Sequence, residues 1–119
     1  MNSKADQQLL EKNKIKNEQI VHDAHLATKY QKEVKNGVLV IQGDNFITNL
    51  EFLDLIGVTK AIATYCENIS FDRTPKKVKM LVLSNCQLSN IDGIQKMNQL
   101  TELSLGLNAL TDKNLKFIL

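Results

Sequence analysis

The sequence offers few side chains that could do acid–base or metal chemistry. His22 and His25 are its only histidines, and with Glu18 they take positions i, i+4 and i+7. On a helix, that spacing puts one carboxylate and two imidazoles on one face, where they could hold a divalent metal. A solvated helix face is the more ordinary explanation of the same spacing. We therefore predict no metal site.

Cys66 and Cys86 are the other candidates for reactive groups. The sequence contains no C-x-x-C zinc pattern, no phosphate-binding loop and no dinucleotide fingerprint. A hydrolytic triad would have to use His22 or His25, and we place both in an N-terminal helix away from the predicted strands. We therefore predict that the protein is not an enzyme and uses no cofactor.

A sequence pattern that repeats along the chain predicts the strands that would position these groups. Residues 81–88 and 103–110 both fit the pattern L-x-L-x-x-(N/C)-x-L, at an offset of 22 residues. This pattern resembles the leucine-rich repeat in its period and its residue types. The resemblance implies short parallel strands whose leucines point into a core shared by stacked coils. It also implies a non-catalytic module for protein interaction, a scaffold, adaptor or regulatory subunit.

The same frame extends back to residue 38. Its turn position is then held, at intervals of 22, 20 and 22 residues, by Asp44, Cys66, Cys86 and Asn108. In the second repeat, a slip of one residue would bury Ile62 and Thr64 instead of two alanines. We favour the unslipped frame because it aligns the segment 58–66 with 78–86. Neighbouring turns would bring the cysteines close enough for a disulfide, but we predict two reduced, buried thiols.

These patterns predict an α/β solenoid. It is a right-handed leucine-rich-repeat coil of about four repeats with a short parallel sheet, preceded by an N-terminal helix. Residues 1–37 are expected to form a helical cap or a partly disordered extension, and residues 38–119 the repeat domain, whose last repeat could be truncated. We expect the helix over 18–35, with frayed helix or disorder before it. Its packed positions are expected to be Ile20, Ala24, Ala27 and Val34.

The connections between the predicted strands differ from one another. The first and third connections carry apolar residues at steps of three and are expected to be short helix or 3₁₀ turns. The second connection, 69–77, is shorter and contains Pro75, so we expect it to be extended. In the fourth, Thr111 or Asp112 could cap a helix that carries Leu115, Ile118 and Leu119.

The outward face of the predicted strands is the candidate binding surface. Three aliphatic residues would line up across adjacent strands, and exposed contiguous apolar surface usually marks an interface. We predict that the partner-binding residues are Val40, Ile62, Met80, Val82, Thr64 and Ser84. Two plainer explanations remain open: β-branched residues favour strands in any case, and the N-terminal segment could fold over them.

Composition limits the class of partner. The net charge is only +2, no apolar run is long enough to span a membrane, and the N-terminus lacks the apolar core of a signal peptide. We therefore expect another protein as partner, rather than nucleic acid or a membrane, and a cytoplasmic location, with the nucleus left open.

Several alternatives stay open. The chain could be a fragment of a longer repeat array, or a helix-driven oligomeriser without an independent binding function. Lys12, Lys14 and Lys16 could contact nucleic acid, which is the weakest of the alternatives. The sequence stops inside the fourth repeat, so we also expect self-association through the C-terminal coil, unless the last apolar residues fold back as a cap.

Overall fold

The computed structural model of the protein describes residues 3–110. The helix α1 spans Lys4–Tyr30 and is followed by a short 3₁₀ helix, Gln31–Glu33. Four strands come next: β1 (Val38–Gln42), β2 (Lys60–Thr64), β3 (Met80–Ser84) and β4 (Glu102–Ser104). The C-terminal cap and the self-association predicted for the end of the chain depend on residues that lie outside the described range.

The helix begins much earlier than the sequence analysis predicted. Ser3 and Asp6 form a capping box, in which the Asp6 N–H donates to Ser3 Oγ at 3.1 Å and the Ser3 N–H donates to Asp6 Oδ2 at 3.3 Å. This box satisfies two backbone donors that a helix start leaves unpaired. No Gly or Pro interrupts the segment that follows. A regular helix therefore starts at Lys4, where we had expected frayed helix or disorder.

The packed face of α1 also differs from the prediction. Its buried residues are Asp23, Leu26 and Tyr30. Of the four predicted positions, Ile20 and Ala24 are exposed, Ala27 is half-buried, and Val34, beyond the helix, packs against the core. The predicted face followed the aliphatic residues alone. The observed face turns a carboxylate and a phenol inward, because both find polar partners in the body of the protein.

The four strands form one open parallel sheet in the order β1-β2-β3-β4. Their register aligns Leu39 with Ala61, Leu81 and Leu103, and it aligns Val40 with Ile62, Val82 and Ser104. The unslipped frame that we favoured for the second repeat is thus confirmed. Ala61 and Ala63 are buried, and Ile62 lies on the opposite face of the sheet.

The core fills the space between this sheet and the segments that connect its strands. Inward residues of β1–β3 meet the connecting residues Ile47, Leu50, Phe52, Leu53, Val58, Val78 and Ile91. Short 3₁₀ helices at Glu51–Ile56 and Ile94–Lys96 occupy the first and third connections, as predicted.

The second connection contains no helix, as predicted. There the Asp54 carboxylate accepts hydrogen bonds from the backbone N–H groups of Lys76 and Lys77, at 2.7 and 3.0 Å. It thereby satisfies donors that an extended chain leaves unpaired.

Burial decreases at the β4 end of the sheet. Leu103 and Leu105, which we expected to be buried, are only half-buried. Within residues 3–110, β4 has a neighbouring strand on one side only, so its inward side chains are covered mainly by the β3 repeat.

The alternation of faces gives a test of the register. Leu83 is completely buried, so Leu83→Ala should lower the free energy of unfolding by roughly 2–5 kcal/mol. Val82 is only half-buried on the opposite face, so Val82→Ser should cost much less. Urea unfolding of both variants measures the difference. Equal destabilisation would contradict the assigned faces.

Candidate functional site

The predicted binding residues lie together on the outward face of the sheet. Val40, Ile62 and Val82 are direct neighbours across β1, β2 and β3. Val40 is 63% exposed, and the other two are half-buried. This row of three aliphatic side chains is called here the strand column. Because their sequence neighbours point into the core, the alternation of the strands fixes these side chains outward.

The strand column has polar residues on both flanks. Thr64 pairs with Ser84 toward the strand ends, and Lys60 pairs with Met80 toward the strand starts. A shallow depression between β3 and β4 continues the surface and is lined by Met80, Leu81, Val82, Glu102, Leu103 and Ser104. All six predicted residues are thus contiguous, and their role in binding stays a prediction.

Helix α1 packs beside the first repeat and not across the strand column. Its C-terminal part contacts the 3₁₀ helix Glu51–Ile56. The Tyr30 ring lies 6.1 Å from the Phe52 ring, centroid to centroid. The outward face of β1 is therefore left accessible at Val40. This removes one of the plainer explanations for an aliphatic column on these strands.

Each strand ends in the same kind of bend. A residue in the left-handed region follows every strand, at Gly43 (φ 67°), Tyr65 (φ 55°), Asn85 (φ 54°) and Leu107 (φ 59°). The spacing of these residues is again 22, 20 and 22. The next residue in each repeat is the predicted turn position, whose side chain points back under the bend. The sequence pattern predicted a turn after each strand, but not the left-handed residue that makes it.

Asn108 shows what a turn residue does in this fold. Its Oδ1 accepts from the backbone N–H groups of Cys86, at 2.9 Å, and Leu88, at 3.2 Å. Its Nδ2 donates to the Leu83 carbonyl at 2.7 Å. Nδ2 also donates to the Leu105 carbonyl at 3.1 Å, so one amide binds backbone groups of the third repeat and of its own, which the bend leaves unpaired.

The two cysteines are free thiols and are buried at the equivalent positions. Cys66 Sγ donates to the Thr64 carbonyl at 3.5 Å, and Cys86 Sγ donates to the Ser84 carbonyl at 3.4 Å. Burial raises the pKa of both thiols above the ordinary value. A protonated, buried thiol is a poor nucleophile, so this environment favours a structural role.

Asp44 is the turn residue that carries a charge. Its carboxylate accepts from Lys29 Nζ at 2.8 Å, from the Tyr30 hydroxyl and from the Phe46 N–H at 3.0 Å. Burial tends to raise the pKa of Asp44, but the hydrogen bonds from Lys29, Tyr30 and Phe46 outweigh it, so the pKa lies below its ordinary value. Asp44 therefore joins the first bend to the C-terminal end of α1.

A second polar link docks the helix. The Asp23 carboxylate accepts two hydrogen bonds from the Arg73 guanidinium, at 2.8 and 3.1 Å, and both side chains are largely buried. Glu51 lies 3.9 Å from the same guanidinium. No sequence pattern predicted this pair. The available signal was that Arg73 is the only arginine in the sequence, and arginine is the residue best suited to a buried bidentate pair.

The histidines sit at the junction of α1 and the first bend. The rings of His22 and His25 lie 4.5 and 5.3 Å from the Phe46 ring. His22 Nε2 also lies 3.5 Å from Thr48 Oγ1. Within residues 3–110, no group of three His, Cys, Asp or Glu side chains is placed to hold a metal ion. Along the same range, no helix combines the length and apolarity needed to cross a membrane.

Comparison with protein-family models, with curated proteins and with solved structures finds no significant match to this chain. Any function must therefore be argued from the geometry of the sheet face and of α1.

The Asp44 cluster predicts a dependence of stability on pH. Because the folded pKa of Asp44 is lowered, its stabilisation is complete above the unfolded value of about 3.9 and is lost as pH falls through the folded value. Asp44→Asn should therefore lower the free energy of unfolding by about 1–3 kcal/mol at pH 7. The difference in free energy of unfolding between wild type and Asp44→Asn should shrink below about pH 4. Urea unfolding at several pH values from 7 to 3 measures this difference. Asp92→Asn, at an exposed position, is the control. A gap that stays constant over this range would contradict the assignment.

The buried thiols predict slow alkylation. With iodoacetamide and without reductant, the native protein should be labelled only as fast as it opens, because both sulfurs are covered. In denaturant, mass spectrometry should show label on both Cys66 and Cys86. Rapid labelling of the native protein would contradict the burial, and the absence of label in denaturant would indicate a disulfide.

Proposed function

We propose that this protein is a short, right-handed leucine-rich-repeat solenoid of about four repeats. The support is the coincidence of three features at one spacing: in-register parallel strands, a left-handed bend after each strand, and a side chain under each bend. Inward aliphatic residues alternate with outward residues on β1–β3, as stacked coils require. In such an array each repeat buries its apolar face against its neighbours.

We infer that the function is non-catalytic binding of another protein, as a scaffold, adaptor or regulatory subunit. The observation that carries this inference is the strand column of Val40, Ile62 and Val82, which α1 leaves open. Aliphatic side chains at the centre of a patch, with hydroxyls of Thr64 and Ser84 at its edge, resemble the apolar core and polar rim of protein interfaces.

The charges around the strand column support a protein partner over nucleic acid. Lys60 and Glu102 both lie on the outward face near the strand starts, so the surface has no single sign of charge. Mixed charges at the edge of an interface fix the orientation and the specificity of binding more than they add to its affinity. Most of the affinity would come from covering the aliphatic residues and Met80.

The chemistry of the remaining groups agrees with a binding role. The thiols are buried and protonated, and the described contacts of the histidines are with Phe46 and Thr48. We place the protein in the cytoplasm, or alternatively the nucleus, where free thiols stay reduced.

A substitution on the strand column tests this function. Val40→Glu leaves the core untouched, because Val40 is 63% exposed, but in a complex the new charge would have to be desolvated. Captures from cell lysate should therefore lose a defined set of proteins with Val40→Glu and also with Val82→Glu.

Leu55→Glu is the matched control, since Leu55 is 64% exposed and lies in the 3₁₀ helix Glu51–Ile56, outside the sheet. Circular dichroism should show that all three variants are folded. If the captured proteins are the same for wild type, Val40→Glu and Val82→Glu, the strand column is not the binding site.

A further inference from the structure

One exposed face of α1 carries large apolar residues among polar ones. Leu10 and Val21 are 58% and 68% exposed, and Phe46, beside the helix, is 52% exposed. These three residues line one open cleft with His22 and His25. The strand column does not include them, and the proposed function does not use them.

The N-terminal half of α1 receives little support from the rest of the described structure. Every residue from Ser3 to Glu18 is exposed. An isolated helix of about 15 residues is marginally stable in water, so a helix of this kind usually gains stability by covering an apolar face. A ligand that packs along this cleft would supply that cover.

The pattern of the exposed face is the same when read in either direction. Leu10, Lys14, Asn17 and Val21 follow one another at i, i+4, i+7 and i+11, so they fall on one face of the helix. These four residues are called here the α1 seam. The seam has an aliphatic residue at each end and two polar residues in the middle. A surface with this symmetry fits a two-fold axis, in which one patch meets an identical patch.

We propose that two copies of the protein associate through antiparallel α1 helices. Residue i of one copy then lies opposite residue 31−i of the other, so Leu10 packs on Val21 and Lys14 lies opposite Asn17. Leu10 of each copy enters the other copy's cleft at Val21, His25 and Phe46. Glu18 borders the seam within reach of the opposing Lys14, which gives the pairing charge complementarity.

The size of the seam sets the expected affinity. A stable interface buries at least about 1,000 Å² in total, and a seam made of one helix face with Phe46 at either end belongs to the small, weak interfaces near that limit. The middle of the seam is polar and contributes less than its ends. We expect a dissociation constant on the order of 10 µM, so that dilution separates the dimer.

Sedimentation equilibrium of the full chain, from low to high micromolar concentration, tests the association. The wild type should pass from monomer to dimer, and Val21→Glu should weaken the dimer by at least about tenfold, because each interface would desolvate two new charges. Val40→Glu is the matched control: it is the same substitution at a residue of similar exposure on the sheet, and it should leave the dimer intact.

Two results would overturn the proposal: a monomer at all concentrations, or a dimer that Val21→Glu does not weaken. The second would assign self-association to another surface, the C-terminal coil included. Neither result bears on the strand column, whose test is the loss of captured proteins with Val40→Glu.

Engineered cysteines test the orientation. Residues 10 and 21 of one helix are about 16 Å apart, too far for a disulfide within the chain. Under oxidising conditions, the Leu10→Cys/Val21→Cys double variant should give a covalent dimer, whereas each single variant should not. A covalent dimer from either single variant would indicate parallel helices and would overturn the antiparallel arrangement.

Discussion

The common register of β1 to β4 is the constraint on which the rest of this structure depends. Because side chains alternate along a strand, one register decides at once which residues fill the core and which face out. In β2 the register, and not the size of the side chain, decides which residues are buried. Ala61 and Ala63 are buried, while the larger Ile62 is half-buried on the other face. The second repeat thus gives up apolar volume in the core to keep its strand aligned with both neighbours. The strand column exists only because that alignment holds.

The end of each strand meets the same requirement with different chemistry. Every bend must satisfy backbone groups that it turns inward, and the side chain under it is a carboxylate, a thiol, a thiol and then an amide. The amide of Asn108 makes the most hydrogen bonds, to backbone groups of the third repeat and of its own. The thiols donate weakly but fit a tight, apolar space. The carboxylate of Asp44 stands at the end of the sheet nearest α1, where Lys29 and Tyr30 can compensate its charge.

Sequence reasoning predicted the parts of the fold that repeat. Period and residue type were enough to place the four strands, their inward residues and the side chains under the bends. Helix α1 does not repeat, and there the aliphatic residues misled us: Ile20 is exposed, whereas Asp23 and Tyr30 are buried. A buried polar residue is explained by its partner, and Arg73 lies 50 positions along the chain from Asp23. Spacing carries no information about such a contact. The cleft beside Phe46 was missed because it needs both α1 and the first bend.

The link between Asp23 and Arg73 also has a consequence for how the chain reaches this state. Helix α1 is synthesised before the strands, but its bidentate partner belongs to the connection between β2 and β3, 50 residues later. At about 5–20 residues per second, roughly 2.5–10 s pass on the ribosome before Arg73 is made. During that time the helix lacks its bidentate link to Arg73. The two links that hold α1 thus become available at different times, the one to Asp44 with the first bend and the one to Arg73 only after β2 has been made.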